Sequence, residues 1–290
     1  MDSGRIMCAS PYRGSKKRHI NRANRIYLEH RVSCRTSIAG NIETGMRILC
    51  WNIHKGIGGV DRRYDLHRIL RVIDHYDPDV MILQEVDQGV PRTRRHDQVG
   101  LIADVLEYPH AEYGPNVRLR WGRYGNATLS RSPIVNARNI DLSFGIKKSR
   151  GALYTEIRTR VDEHTYRLHL VNVHLGLSGM ERRWQVKRLM DSNELSRLDA
   201  ASRIVVAGDT NDWNGALGRG PLKKSGFLCA TGTGRRASLT FPAWQPVSAL
   251  DRVFYRGAIE SEHHYRGRLR ITRQASDHLP VIVDFRIMER

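Results

Sequence analysis

Carboxylates, amides and histidines recur where apolar runs begin or end. Asn52 closes the apolar-rich stretch that starts at Arg47, and Gln84 with Glu85 directly follows the run Val80–Leu83. His174 sits within Val171–Leu175, and Asp209 and Asn211 follow Ile204–Gly208. Asp251 precedes Val253–Tyr255, and Asp277 with His278 precedes Leu279–Ile282. A carboxylate placed directly after a buried strand needs a partner, because an isolated buried charge is expensive. Several carboxylates and amides converging in one cleft make a hard, oxygen-rich site suited to Mg²⁺ or Mn²⁺. Histidines beside it could supply proton transfer at neutral pH. Any one of these residues alone is equally a solvated cap, a salt bridge or a packed core histidine. Their ordered recurrence points to a shared site, since strand ends in large α/β sheets gather at a common edge.

Periodicity outlines the elements that must hold these groups. Arg47–His54 reads as a strand, and residues 65–76 place Leu66, Ile69, Leu70 and Ile73 at helical spacing, ended by Asp77 and Pro78. Val80–Leu83 reads as a buried strand and residues 99–106 as a second helix. Asn126–Ser130, Leu153–Arg160, Tyr166–Leu175 and Ile204–Ala207 are strand-like. Arg182–Leu198 carries Trp184, Val186, Leu189, Met190 and Leu195 on a helical repeat, and two last strands fall at Arg252–Tyr255 and Val281–Ile287. Strands outnumber helices, which indicates an α/β class with large mixed sheets and helices packed outside. No repeat of solenoid period is present. The regular pattern runs as one domain over residues 46–290.

Residues 1–45 differ. Their arginines and lysines face only Asp2, Glu29 and Glu43, and no apolar periodicity persists. The segment is read as a basic, disordered N-terminal extension. Its make-up suits equally an organellar transit peptide, a basic arm for polyanions, or a stretch upstream of a natural start at Met46. It lacks the apolar core of a secretory signal.

Of the 290 residues, 40% are apolar and 27% charged, which excludes a mostly disordered chain. No run approaches the roughly 18 apolar residues of a membrane-spanning helix, so a cytoplasmic location is expected. The net charge of +18 favours polyanionic partners: nucleic acid first, then anionic membrane surfaces and phosphorylated metabolites. No obligate protein partner is evident. Cys8, Cys34, Cys50 and Cys229 form no C-x-x-C pair and read as free thiols.

Taken together, the blocks Leu49–Lys55, Pro78–Glu85, Gly125–Pro133, Arg150–Leu153, Asn172–Leu175, Val206–Asp212, Leu250–Val253 and Ser276–Pro280 resemble the endonuclease/exonuclease/phosphatase superfamily. This is the group of metal-dependent phosphoesterases similar to deoxyribonuclease I, exonuclease III and neutral sphingomyelinases. The blocks occur in the family's order over residues 46–287, and the likeness is greatest to small bacterial members. The resemblance implies a four-layered α/β sandwich, two packed mixed β-sheets flanked by helices. It implies Glu85 as principal metal ligand, with Asn52 beside it and Asp277 as a second acidic residue near the metal. It implies Asp209 as the group that activates the attacking water, and Asn211 as an amide on a phosphate oxygen. His278 would contact phosphate, Asp251 would orient it, and His174 would serve as general acid or phosphate contact. Asn126 and Arg150 fall where family members support the site or contact phosphate. One departure concerns His174, because the segment Val117–Tyr124 offers no acidic residue to partner it.

The chemistry is consistent with these types. A phosphodiester repels hydroxide, so its hydrolysis depends on neutralising charge and aligning water. Mg²⁺, with Mn²⁺ as a substitute, would stabilise charge developing on the phosphoryl and leaving oxygens. A histidine held by a carboxylate favours its protonated form. The expected activity is Mg²⁺-dependent phosphodiester hydrolysis, with a nuclease on DNA or RNA as the leading reading. The arginine-rich segments 92–95, 118–123 and 147–150 suit backbone phosphates, and Trp121, Tyr124 and Trp213 could stack on bases. A phospholipid headgroup phosphodiesterase of sphingomyelinase type is the alternative, although the sequence shows no apolar hairpin to enter lipid. An inactive polyanion-binding protein is the third. Because every candidate residue lies at or beyond Asn52, a chain beginning at Met46 is expected to fold and to hydrolyse a small phosphodiester at the full-length rate. A soluble but inactive truncation, measured side by side with the intact chain, would overturn this.

Overall fold

The computed structural model describes residues 45–161 and 163–289. The expectations for residues 1–44 lie outside that range. Strand β1 (Gly45–Asn52) runs parallel to β2 (Val80–Gln88), with Ile48 opposite Val80 and Asn52 opposite Gln84. A parallel pair needs a crossover, and helix α1 (Leu66–Tyr76) supplies it. Asp65 caps the start of α1 by accepting from the His67 N–H. Asp77 ends it in the left-handed conformation, directly before Pro78.

The strands form two six-stranded sheets. The first runs in the order β11 (Ile259–Arg266), β12 (Val281–Ile287), β1, β2, β4 (Arg123–Ser130), β3 (His110–Arg118). The second runs β5 (Ile134–Asp141), β6 (Gly151–Val161), β7 (His164–His174), β8 (Arg203–Asp209), β10 (Asp251–Arg256), β9 (Leu228–Cys229). In the second sheet β7 and β8 are the parallel pair, crossed over by helix α3 (Gly179–Met190). Each sheet thus has a parallel pair near its middle, and each pair ends in the residues singled out above.

Period-2 alternation divides the apolar residues among three layers of packing. Ile48, Cys50, Val80 and Ile82 meet Leu168, Leu170, Val205 and Phe285 in the core between the sheets. Leu49, Trp51, Met81 and Leu83 point the other way, against Ile69 and Ile73 of α1 and Ile102 of α2 (Gln98–Leu106). On the far side, Val171, Val173 and Val206 pack against Val186 and Leu189 of α3. The result is the four-layered α/β sandwich, two mixed sheets flanked by helices. Among the described residues no helix is long and apolar enough to cross a membrane.

Periodicity misplaced some elements. The segment expected as one helix over Arg182–Leu198 is two, α3 and α4 (Asn193–Ser196), because Ser192 between them is extended. Strands β3, β5 and β11 are not visible as apolar runs. All three are sheet edges, where one side of the strand has no neighbour and polar residues such as Asn136, Arg138, Glu260 and His263 are tolerated. Phe285 is fully buried between the sheets and packs edge-on to Tyr255 at 5.4 Å. Phe285→Ala is expected to destabilise the fold by about 3–5 kcal/mol, against less than about 0.5 kcal/mol for the exposed Trp244→Ala. Urea unfolding followed by fluorescence reads both, and equal effects would contradict the placement of the core.

Candidate active site

The ladder between β2 and β4 is interrupted: Leu83 pairs with Ala127 and Val86 with Gly125, so Gln84 and Glu85 face Asn126 alone. This is a β-bulge, and Glu85 occupies it in the left-handed conformation (φ 58°). The bulge re-aims the Glu85 side chain out of the strand's alternation. It is held by a buried clasp of amides. Asn172 of β7 donates from Nδ2 to the carbonyls of Leu83 and Ala127, both at 2.9 Å, and its Oδ1 accepts from Gln84 Nε2 at 2.8 Å. Asn126 donates from Nδ2 to the carbonyls of Gly151 and Asn172 at 3.1 Å. Asn126 therefore ties strands of opposite sheets together. Sequence reasoning placed Gln84 at a strand end without a role and missed Asn172 as part of the site, although it lies inside a motif block and interrupts an apolar run.

Asp209, at the end of β8, is the meeting point of the two sheets. Its Oδ2 accepts from Asn52 Nδ2 at 3.0 Å and lies 3.5 Å from His174 Nε2 and 3.7 Å from His278 Nε2. Its Oδ1 accepts from the backbone N–H of Asn211 at 3.1 Å. Asp251 faces Asp209 across the antiparallel β8–β10 ladder, and its Oδ2 lies 2.7 Å from His278 Nδ1 and accepts from Thr240 Oγ1 at 2.6 Å. Asn52, Asp209, Asp251, His174 and His278 are all buried. The loop carrying His278 is fixed from the first sheet: Trp51 Nε1 donates to the His278 carbonyl at 2.8 Å, and Ser276 Oγ donates to the Asn52 carbonyl at 2.7 Å. Asn211 is left-handed (φ 49°), and one hydrogen of its Nδ2 goes to the Leu175 carbonyl at 2.9 Å.

The two imidazoles differ sharply. Burial pulls His278 down, but Asp251 and Asp209 outweigh it and push it up to about 10. Burial also dominates at His174, where Asp209 does not compensate and Arg150 adds to the effect, leaving it at about 4. At neutral pH one ring is charged and the other is not. The carboxylate near His174 is Asp209, which answers the question left by the acid-free Val117–Tyr124 segment. Burial opposes ionisation of Glu85, yet His174 and Lys55 more than offset it and hold the carboxyl well below the usual range.

Other candidates sit further out. Lys55 Nζ pairs directly with Glu85, and both Lys55 and His54 are left-handed residues in the turn after β1. Asp277 Oδ1 is 3.7 Å from His54 Nδ1 and is partly exposed. Arg150 precedes β6 and acts electrostatically on His174. Among the described residues no three His, Cys, Asp or Glu side chains converge into a ready-made metal cluster. The donor chemistry nonetheless fits Mg²⁺: Glu85, Asn52 and Asp277 offer hard oxygens, and Mg²⁺ keeps several waters and needs only one or two carboxylates. The half-buried charge of Glu85 favours a countercharge, which Lys55 provides here.

The rim holds what the sequence did not show. An antiparallel bridge between Phe241 and Ser248 closes a loop that exposes Trp244 and Val247. Exposed Trp213 meets Phe241 edge-on at 5.8 Å, and Phe241 lies against the His278 ring at 4.8 Å. An apolar, hairpin-like lip therefore stands beside the site.

The chain matches the profile of the Endonuclease/Exonuclease/phosphatase family over residues 49–278. It is 31% identical over 253 residues to the uncharacterized protein YbhP of Escherichia coli (strain K12), covering 83% of this chain and 96% of that protein. Among solved structures it resembles the endonuclease/exonuclease/phosphatase of Beutenbergia cavernae (TM-score 0.69, 24% identity, 84% of this chain and 72% of that one). It also resembles the Bacteroides vulgatus endonuclease/exonuclease/phosphatase (0.66, 18%, 84% and 99%). A third likeness is to D. rerio TDP2 complexed with single strand DNA product (0.60, 18%, 83% and 98%). These structural likenesses bear on the fold.

The histidine asymmetry has a measurable sign. His278 has a folded pKa above its ordinary 6.5, so its contribution to stability is full below 6.5 and is lost as pH rises towards about 10. His174 has a folded pKa below 6.5, so the unfolded chain binds its proton first and stability falls as pH drops from 6.5 towards 4. Imidazole ¹⁵N spectra of the metal-free protein are expected to show His278 protonated from pH 6 to 9 and His174 neutral down to about pH 5. Both rings titrating near 6.5 would refute the assignment.

Proposed function

The chain belongs to the Endonuclease/Exonuclease/phosphatase family, whose members hydrolyse phosphoester bonds and generally depend on a divalent metal, and we propose that it is a Mg²⁺-dependent phosphodiesterase acting on nucleic acid. The observation that carries this reading is the buried Asp209 carboxylate flanked by one charged and one neutral imidazole, with Glu85 and its countercharge alongside. A phosphodiester needs a proton acceptor for water and a fixed positive charge, and Asp209 and protonated His278 supply these two.

Asp209 is the acceptor of the water's proton, and Asn52 and the Asn211 N–H fix the plane of its carboxylate. Protonated His278, oriented by Asp251 and Thr240, neutralises charge on a non-bridging oxygen. Asn211 has a second Nδ2 hydrogen for another phosphate oxygen, the first being bound to Leu175. Neutral His174 is in this scheme a phosphate contact, and Arg150 adds positive charge near it. Mn²⁺ or Mg²⁺, held by Glu85 with Asn52 and Asp277, would supply Lewis-acid stabilisation of developing negative charge when bound. Asn126, whose amide is engaged by two backbone carbonyls, supports the strands in this scheme. A cytoplasmic location accords with a nucleic-acid substrate.

The net charge of +18 supports a polyanionic substrate, and the fold is shared with D. rerio TDP2, solved with a single strand DNA product. One observation favours a second reading. The lip of Trp244, Val247 and Trp213 offers the apolar contact that a phospholipid headgroup phosphodiesterase needs. Plasmid and oligonucleotide cleavage run beside phospholipid headgroup release, each with Mg²⁺ and with chelator, separates the two. Hydrolysis is expected on nucleic acid, only with metal. Asp209→Ala or His278→Ala is expected to lower turnover about 10²–10⁴-fold while substrate binding persists. Near-normal turnover in either variant, or full activity in chelator, would defeat the scheme.

A further inference from the structure

The turn after β1 is built more tightly than a surface turn requires. His54, Lys55 and Gly56 are left-handed in succession, at φ 45°, 63° and 70°. Non-glycine residues hold that conformation only when their surroundings fix it. The fixing groups are on both sides of the turn. Asn52 Oδ1 accepts from the His54 N–H at 3.0 Å, and His54 Nδ1 donates to the Ile57 carbonyl at 2.8 Å. Gln98, fully buried on α2, donates from Nε2 to the Lys55 carbonyl at 2.7 Å, and its Oε1 accepts from the Asp87 N–H at 2.8 Å. The main chain of Lys55 is thereby tied to β2 two residues beyond Glu85.

The Lys55 ammonium reaches Glu85 Oε2 directly. At 15% and 16% exposure the two side chains are better shielded than an ordinary surface ion pair. Among the described residues Glu85 is the only acidic side chain that Lys55 contacts. The nearby Asp87 is fully buried and engaged by Arg92 through two bonds at 2.8 Å, so it offers Lys55 no second partner. A carboxylate oxygen that holds an ammonium this closely cannot also hold a divalent cation, because the two cations repel at contact distance. Lys55 therefore has to leave before a metal enters. Its flexible stem permits that, while its fixed main chain keeps the ammonium within reach. The Tyr124 ring, 5.4 Å from Lys55 Nζ, already carries Lys148 at 4.6 Å, so it gives the displaced ammonium no uncontested resting place.

We propose that Lys55 competes with the divalent cation for Glu85, a tethered cation that lowers the affinity of the site and makes its metal readily exchangeable. This rests on the reading of Glu85 as a metal ligand and deepens it. Lys55 acts through Glu85 and is a positioning residue. Giving up one hydrogen bond between charged groups lowers affinity about ten- to a hundredfold. The metal is then taken from solution by mass action and not retained.

The test titrates Mn²⁺ into the full chain at constant ionic strength and reads free Mn²⁺ by electron paramagnetic resonance. Lys55→Met is expected to bind Mn²⁺ about ten- to a hundredfold more tightly than the unaltered chain. Lys55→Arg keeps the charge and is expected to stay within about threefold of the unaltered chain. Lys55→Met combined with Glu85→Gln is expected to bind no more tightly than Glu85→Gln alone, which places the gain at Glu85. The melting temperature of Lys55→Met is expected to lie below that of the unaltered chain in chelator, and to rise by more when Mn²⁺ is added. A second measurement needs no substitution. Acetylation of Lys55, mapped by mass spectrometry, is expected to quicken several-fold when Mg²⁺ is added, with the exposed Lys223 of the Pro221–Lys224 turn unchanged. Equal or weaker Mn²⁺ affinity in Lys55→Met overturns the competition. So does Lys55→Arg binding as tightly as Lys55→Met, or acetylation of Lys55 that ignores saturating Mg²⁺. None of these readings uses turnover. Metal-dependent hydrolysis with equal affinities keeps the phosphodiesterase and removes the competitor, whereas tighter binding in Lys55→Met without hydrolysis of any phosphodiester does the reverse.

Discussion

The amide of Asn172 is the constraint on which the site depends. It reaches from the second sheet into the first and donates to the carbonyls of Leu83 and Ala127, the last ladder pair before the β2 bulge. Buried hydrogen bonds of this kind are costly to lose, so the opposite sheet braces the strand at the point where the bulge begins. The bulge in turn places Glu85 in a left-handed conformation that a non-glycine residue adopts rarely and only when its surroundings over-determine it. Glu85 is therefore braced from the opposite sheet, by a fully buried amide. The spacing of the two sheets and the aim of the carboxylate are one quantity.

A second linkage runs through Asp209. Its neighbours come from β1, β7 and the loop before β12, and Asp251 is its cross-strand partner on β10. Two carboxylates so close repel, and His278 between them relieves the repulsion by holding a proton. His174 touches the same Asp209 and feels Glu85 as well, but burial, with Arg150, outweighs them and keeps it neutral. One carboxylate shared by two rings thus gives them different charges, with no difference in residue type.

Much of this arrangement was legible in the sequence. Asn52, Glu85, Asp209, Asp251 and His278 stand at the ends of apolar runs, and a charge in that position announces a site at a sheet edge. What stayed hidden depends on partners distant in the chain. Gln84 and Asn172 look like polar interruptions of a strand until their 88-residue separation closes into a hydrogen bond. Lys55 looks like a surface lysine until it meets Glu85. Asp277 gives no sign in the sequence of its neighbour His54, whose Nδ1 lies 3.7 Å from its Oδ1. Edge strands escaped notice because they carry polar residues where the buried strands read as continuous apolar runs. The apolar lip at Trp244 escaped because its residues are scattered in sequence and gather only when Phe241 bridges Ser248.

The position of β1 bears on how the protein is made. It lies between β2 and β12, with Met46 opposite Phe285 and Cys50 opposite Val281. The earliest described strand is thus completed by the latest. During synthesis the first sheet waits, with one side of β1 unpaired, until residues near 287 leave the ribosome. Such long-range pairing is slow to form and leaves strand edges open in the interim. His278, carried on the approach to β12, arrives in the same final event. A nascent chain therefore cannot hold the charged imidazole against Asp209 before β12 has emerged and the first sheet has closed.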